Sequence, residues 1–188
     1  MASGAARRQA STLGSGISLF SGGHMLRVKP LPKEEMDPEV RESWGKLAEV
    51  YGYVPEVLKG MGWYRGLRDG TSGRVQPREL WELMRLKVGI DTGCIICQRS
   101  RRCDVAGNQL VPEEDVMKIA DFENADFSDR EKVCLRLVDR LAHDHYAIDD
   151  AFFVELRQHF SDEQIVELAL SATFALGLAK LNAVFGIE

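Results

Sequence analysis

From Met25 onward the chain is punctuated by helix-start signals, and it holds no alternating run of β-branched residues bounded by turns. Asp37-Pro38 places a capping acid before a proline at the first helical position. Val40, Trp44, Leu47 and Ala48 then share one face, and Gly52 closes the segment. Pro55 opens a second helix to about Gly70, followed by a polar loop, Asp69 to Gln76. Pro77 opens a third, broken at Asp91-Thr92-Gly93, and a fourth is expected from Cys94 to about Gly107-Asn108. Pro112 starts a short fifth. Two capping boxes, Ser128 with Glu131 and Ser161 with Gln164, start helices to about His143 and Phe185, each box satisfying two orphan backbone donors. Between them Asp149 caps a helix through Phe160. The expectation is an all-α domain of seven or eight helices.

Residues 1–24 differ: they are rich in Ser, Gly and Ala, with Arg7 and Arg8 and no acid. That composition reads as a cloning leader, an overlong start or a transit peptide, outside the fold. The domain is therefore taken as residues 25–188. Setting the leader aside moves the net charge from −5 to −7 by removing Arg7 and Arg8. Such a balance excludes a protein built mainly to bind nucleic acid. The most apolar stretch, Ile165 to Ile187, is interrupted by Glu167, Lys180 and Asn182, so no membrane-spanning helix is expected. Four cysteines are too few for a disulfide scaffold, and no secretory signal is seen, so a cytoplasmic, reducing setting is expected.

The sharpest chemical feature is Gly93-Cys94-Ile95-Ile96-Cys97 at a helix N-terminus. Cysteines three apart on a helix share a face and reach each other. The helix N-terminus favours a thiolate, and a thiolate beside a second thiol suits reversible two-electron redox chemistry. Two buried cysteines that merely pack are the competing reading. Cys103 faces away on a continuous helix, and Cys134 reads as core. No second cysteine pair supplies a zinc set, though two of His143, His145 and His159 could complete one. Arg101 is four residues after Cys97 and so, on a helix, on the same face. Glu82, on the preceding helix, is a candidate desolvated general base, with Glu79 one turn earlier as its competitor.

Together these residues resemble the carboxymuconolactone decarboxylase-like superfamily, in particular its alkylhydroperoxidase D (AhpD)-like branch. The match runs from Glu82 through Val88 to Gly93-Cys94-Ile95-Ile96-Cys97, with Gly52-Tyr53-Val54-Pro55 upstream and Phe160 to Leu168 downstream. The resemblance implies an all-α fold assembling as a trimer or hexamer. It implies Cys97 as the peroxidatic cysteine, Cys94 as its resolving partner and Glu82 at the head of a proton relay. The substrate would be a hydroperoxide, and the reductant a lipoyl-type or thioredoxin-like dithiol, with no bound cofactor or metal. The relay histidine of the pattern falls at Arg101 here, and Ile95-Ile96 replaces the usual aromatic residue. Either Arg101 would hold the Cys97 thiolate by charge alone, with Glu82 or water taking protons, or the chain would be a poor peroxidase acting on another disulfide or a small molecule.

Three functions are set against one another. The first is a thiol peroxidase or disulfide reductase using Cys94 and Cys97. The second is a lyase or decarboxylase with Glu82 and Arg101 as acid/base and anion clamp. The third is a non-catalytic helical oligomer with redox-sensing cysteines.

Overall fold

The helix-start signals are realised largely as read in the computed structural model, which describes residues 26–69 and 76–187. The leader of residues 1–24, the start at Met25 and most of the Asp69–Gln76 loop lie outside the described residues. The elements are α1 (Pro38–Trp44), α2 (Ala48–Tyr51), α3 (Pro55–Gly60), α4 (Gly62–Asp69), α5 (Arg78–Asp91), α6 (Ile95–Arg99), α7 (Glu113–Val116), α8 (Asp129–His143), α9 (Asp150–His159) and α10 (Asp162–Phe185). Short 3-10 turns join several of them. No strand occurs among the described residues, only an isolated bridge between Cys103 and Gln109.

Local chemistry accounts for the boundaries. The Asp37 carboxylate accepts from the amides of Glu39 and Val40 at 3.0 and 3.2 Å. Both capping boxes close reciprocally: Ser128 N donates to Glu131 at 2.8 Å, and Ser161 N to Gln164 at 3.1 Å. The segment from Asp37 to Gly52 is not one helix. Gly45 takes φ +55°, a left-handed conformation that glycine adopts without a Cβ clash, and it ends α1 there. The expected second helix likewise divides at Met61 into α3 and α4.

α5 forms the axis. Residues 80–89 are all buried, and the helix packs chiefly against α8 and α10. Burial on every side matches its apolar run of Leu80, Trp81, Leu83, Met84, Leu86 and Val88. A charge enclosed there needs a partner. Lys87 therefore binds Asp91 at 2.6 Å and Asp139 at 2.8 Å, with the Phe122 ring 5.4 Å away. A second core, built on Val40, Trp44, Ala48, Val50, Tyr51 and Leu58, gathers the N-terminal helices around the end of α10. Ile96 and Leu178 touch both cores and mark the seam between them.

Contrary to the expectation from its charged interruptions, α10 is long and apolar enough to cross a membrane by length and composition, a test that core helices also pass; 39% of its most apolar window is buried. One face of the helix packs on α5 and α8 and encloses Glu167 and Asn182.

Candidate active site at the seam of the two cores

α5 and α6 bring the cysteine pair to this seam. Cys94 caps α6, its sulfur accepting from the Cys97 amide at 3.3 Å. The two cysteines are joined in a disulfide, with Cα atoms 5.3 Å apart. Their exposure differs: Cys94 is 1% exposed, whereas Cys97 is only partly buried. Cys97 lines a cavity of about 380 Å³ whose walls include Trp44, Tyr64, Trp81 and Leu178, with Arg85 and Asn182 among its polar groups. Gly89 of α5 lies under Cys97. A Cβ at position 89 would stand 3.0 Å from the Cys97 Cβ, so a larger residue there would push α6 away from α5 by a few tenths of an ångström.

Glu82 is 1% exposed, and its competitor Glu79 is exposed. Both carboxylate oxygens of Glu82 are engaged by Arg85, Nε and Nη2 donating at 2.7 Å each, and the Arg102 amide donates to Oε1 at 3.0 Å. Arg85 also donates to the carbonyls of Cys97 at 2.7 Å and Ser100 at 2.8 Å. A forked guanidinium can serve several acceptors at once.

That arrangement corrects the expected fourth helix. α6 stops at Arg99, and Ser100 is extended. In a continuous helix the Cys97 carbonyl would accept from the amide of residue 101. Here Arg85 takes that carbonyl, and the Ser100 hydroxyl turns back to Ile96 O at 2.7 Å. Arg101 therefore leaves the face of Cys97. Its guanidinium forks onto Glu113 of α7 at 2.8 and 2.9 Å and also donates to the carbonyl of Gln98. It borders a separate cavity, with Leu86, Gln98 and Met117. The helical register expected to set Arg101 on the face of Cys97 thus ends before it, at Arg99.

Two residues that sequence reading missed complete the site. Asn182 of α10 points its Nδ2 at both sulfurs, 3.6 Å from Cys94 and 3.7 Å from Cys97. Its Oδ1 accepts from the Tyr51 hydroxyl at 2.8 Å. Burial pushes the Tyr51 phenol up to about 12. The only signal for Asn182 in the sequence is its interruption of an apolar helix.

The other cysteines stand apart, Cys103 exposed and Cys134 buried, with burial pushing the Cys134 thiol up to about 12. No histidine joins Cys94 and Cys97 in a metal set among the described residues. The group with metal-like spacing is Asp91, Asp139 and His143, and the Lys87 ammonium already bridges its two carboxylates.

No protein-family model matches the chain, and no curated protein matches it. Solved structures do. A cysteine-to-alanine variant of the debrominase Bmp8, in complex with 2,3,4-tribromopyrrole, aligns at TM-score 0.67 and 17% identity, over 89% of this chain and 93% of that one. A protein of unknown function from Agrobacterium tumefaciens, provisionally assigned as the antioxidant defence protein AhpD, aligns at TM-score 0.59 and 17% identity, over 73% and 93%. The alkylhydroperoxidase AhpD core of an uncharacterized peroxidase-related protein from Ralstonia eutropha aligns at TM-score 0.58 and 15% identity, over 80% of each. Helices alone, with a cysteine pair seated between two cores, define the class. The fold is the all-helical fold of these AhpD-like structures.

Proposed function

We propose that this chain is a cofactor-free thiol oxidoreductase that reduces a small organic hydroperoxide through Cys97 and Cys94. The observation that carries the reading is the asymmetry of the pair. One sulfur is reachable from a cavity with aromatic walls, and the other is sealed behind it and already bonded to the first. In the reduced protein the Cys97 thiolate attacks the outer peroxide oxygen. The O–O bond breaks, an alkoxide leaves and takes a proton, and Cys97 becomes the sulfenic acid. The Cys94 thiol then attacks that sulfur, expelling water and forming the disulfide. A dithiol of the lipoyl or thioredoxin-like kind restores both thiols and becomes a disulfide itself. The net exchange is hydroperoxide plus dithiol to alcohol, water and disulfide.

Glu82 serves this chemistry as an anchor. A carboxylate with both oxygens held by Arg85 is poorly placed to accept a proton. Through Arg85 it fixes the Cys97 carbonyl and so the sulfur above the cavity. Arg101 contributes by tying α7 to the end of α6. We place the protein in a reducing, cytoplasmic setting and take it to work as a homo-oligomer.

The test is peroxide-dependent oxidation of a dithiol by purified, reduced protein. Cys97→Ser is expected to abolish turnover, Cys94→Ser to stop it after the sulfenic acid, and Cys103→Ser to leave it unchanged. Full turnover by Cys97→Ser overturns the mechanism. A second reading draws on the debrominase likeness and the aromatic walls of the cavity. The same two thiols could remove bromine from a flat ring, the ring gaining hydrogen, bromide leaving and the disulfide forming. Bromide release without peroxide turnover would favour it.

A further inference from the structure

We infer that Asn182, oriented by Tyr51, is the hydrogen-bond donor that holds the Cys97 thiolate, filling the place of a titrating relay residue. This rests on the thiol-redox reading above.

An amide in the last turn of an apolar helix is costly to bury unless both its ends are partnered. Asn182 is 5% exposed, and Tyr51, 131 residues away in sequence, is 7% exposed. The Tyr51 hydroxyl donates to Oδ1 at 2.8 Å, and the Nδ2 group faces Cys94 and Cys97. The reverse orientation would set the carbonyl oxygen against sulfur lone pairs.

The strength of this contact follows the redox state. A disulfide sulfur is a weak acceptor and a thiolate a strong one, so an N–H aimed at the sulfur binds the reduced, ionised form best. Asn182 thus stabilises the state that reacts more than the state that rests. Asn182 touches the reacting sulfurs and is a catalytic residue in that sense, whereas Tyr51 is a positioning residue. Neither changes charge at neutral pH. The charged groups near Cys97 are Glu82 and Arg85 of α5, Arg102 of the following loop, and Glu42 and Lys46 at the cavity rim. Glu82 and Arg85 are held together, and Arg101, at the relay histidine's position, is bound to Glu113.

The experiment uses the full-length reduced chain, with Cys103→Ser as background so that its exposed thiol does not report. The rate of Cys97 alkylation by iodoacetamide is followed against pH, together with thiolate absorbance in the ultraviolet. Asn182→Leu is expected to lower the thiolate fraction of Cys97 at pH 7 about tenfold, the scale of one charge-assisted hydrogen bond. It is also expected to shift the equilibrium with a dithiol buffer toward the disulfide. Tyr51→Phe keeps the ring and removes only the hydroxyl that orients the amide, so about a threefold loss is expected. An unchanged alkylation profile in folded Asn182→Leu overturns the inference. Should that variant not fold, an unchanged profile in Tyr51→Phe overturns it equally. A wild type that no hydroperoxide oxidises refutes the peroxidase reading instead, and the alkylation profiles do not depend on that result.

Discussion

Replacing Arg85 by Met tests how the site is held together. The side chain joins three things: the Glu82 carboxylate, the Cys97 carbonyl and the Ser100 carbonyl. Glu82 and Arg85 are 1% and 10% exposed at the side chain, and their two contacts are 2.7 Å each. Deleting one partner of a buried pair strands the other charge, at a cost of about 3–5 kcal/mol. The two carbonyl contacts add about 1 kcal/mol net, because water can reach part of that ground once the arginine is gone. A loss of about 5 kcal/mol is therefore expected, a large share of a domain stability of about 5–15 kcal/mol. The assay is urea unfolding of reduced protein followed by far-ultraviolet circular dichroism, on wild type, Arg85→Met, Glu82→Leu and the double variant. With Glu82 also removed no charge is stranded, so the double variant should recover at least about 2 kcal/mol relative to additivity. A loss under about 1 kcal/mol for Arg85→Met, or single losses that simply add, would refute the buried pair as the brace of the site.

The remaining predictions concern the fourth cysteine and the outer face of α10. Cys134 is fully buried and its thiol is pushed up to about 12, so it should stay protonated and unreactive toward alkylating reagent at pH 8 in folded protein, then react on unfolding. Labelling of Cys134 at the rate of exposed Cys103 would contradict its placement. Val166, Leu170, Leu181 and Val184 lie between 42% and 57% exposed along one side of α10. An apolar stripe of this kind suits self-association. Light scattering is expected to find an oligomer that Leu170→Glu with Leu181→Glu breaks to monomer, and a wild type monomeric at every concentration would end that idea.

Much of the fold could be read from residue order because its signals are local. Ser128 with Glu131 and Ser161 with Gln164 act within a single turn, and both boxes form as read. Cys94 with Cys97 is local in the same way, and Glu82 lies one helix earlier. What escaped depends on distant chain. The end of α6 is decided by Arg85 capturing the Cys97 carbonyl from a neighbouring helix, which no helix-stop signal near Arg101 announces. Asn182 reaches the sulfurs only because α10 runs past α6, and Tyr51 reaches Asn182 only because the N-terminal core closes over the end of α10. The division at Gly45 was missed because the apolar period continues across it while the backbone does not.

The unequal exposure of the two sulfurs also has a kinetic consequence. With Cys94 sealed at 1% exposure, the thiol-redox cycle proposed above makes Cys97 the door through which both oxidant and reductant enter. The two cannot be bound there together. Turnover must then alternate between two half-reactions, the first product leaving before the second reactant arrives. Reciprocal-rate plots should run parallel, and an excess of either visitor should slow the enzyme by occupying the doorway out of turn.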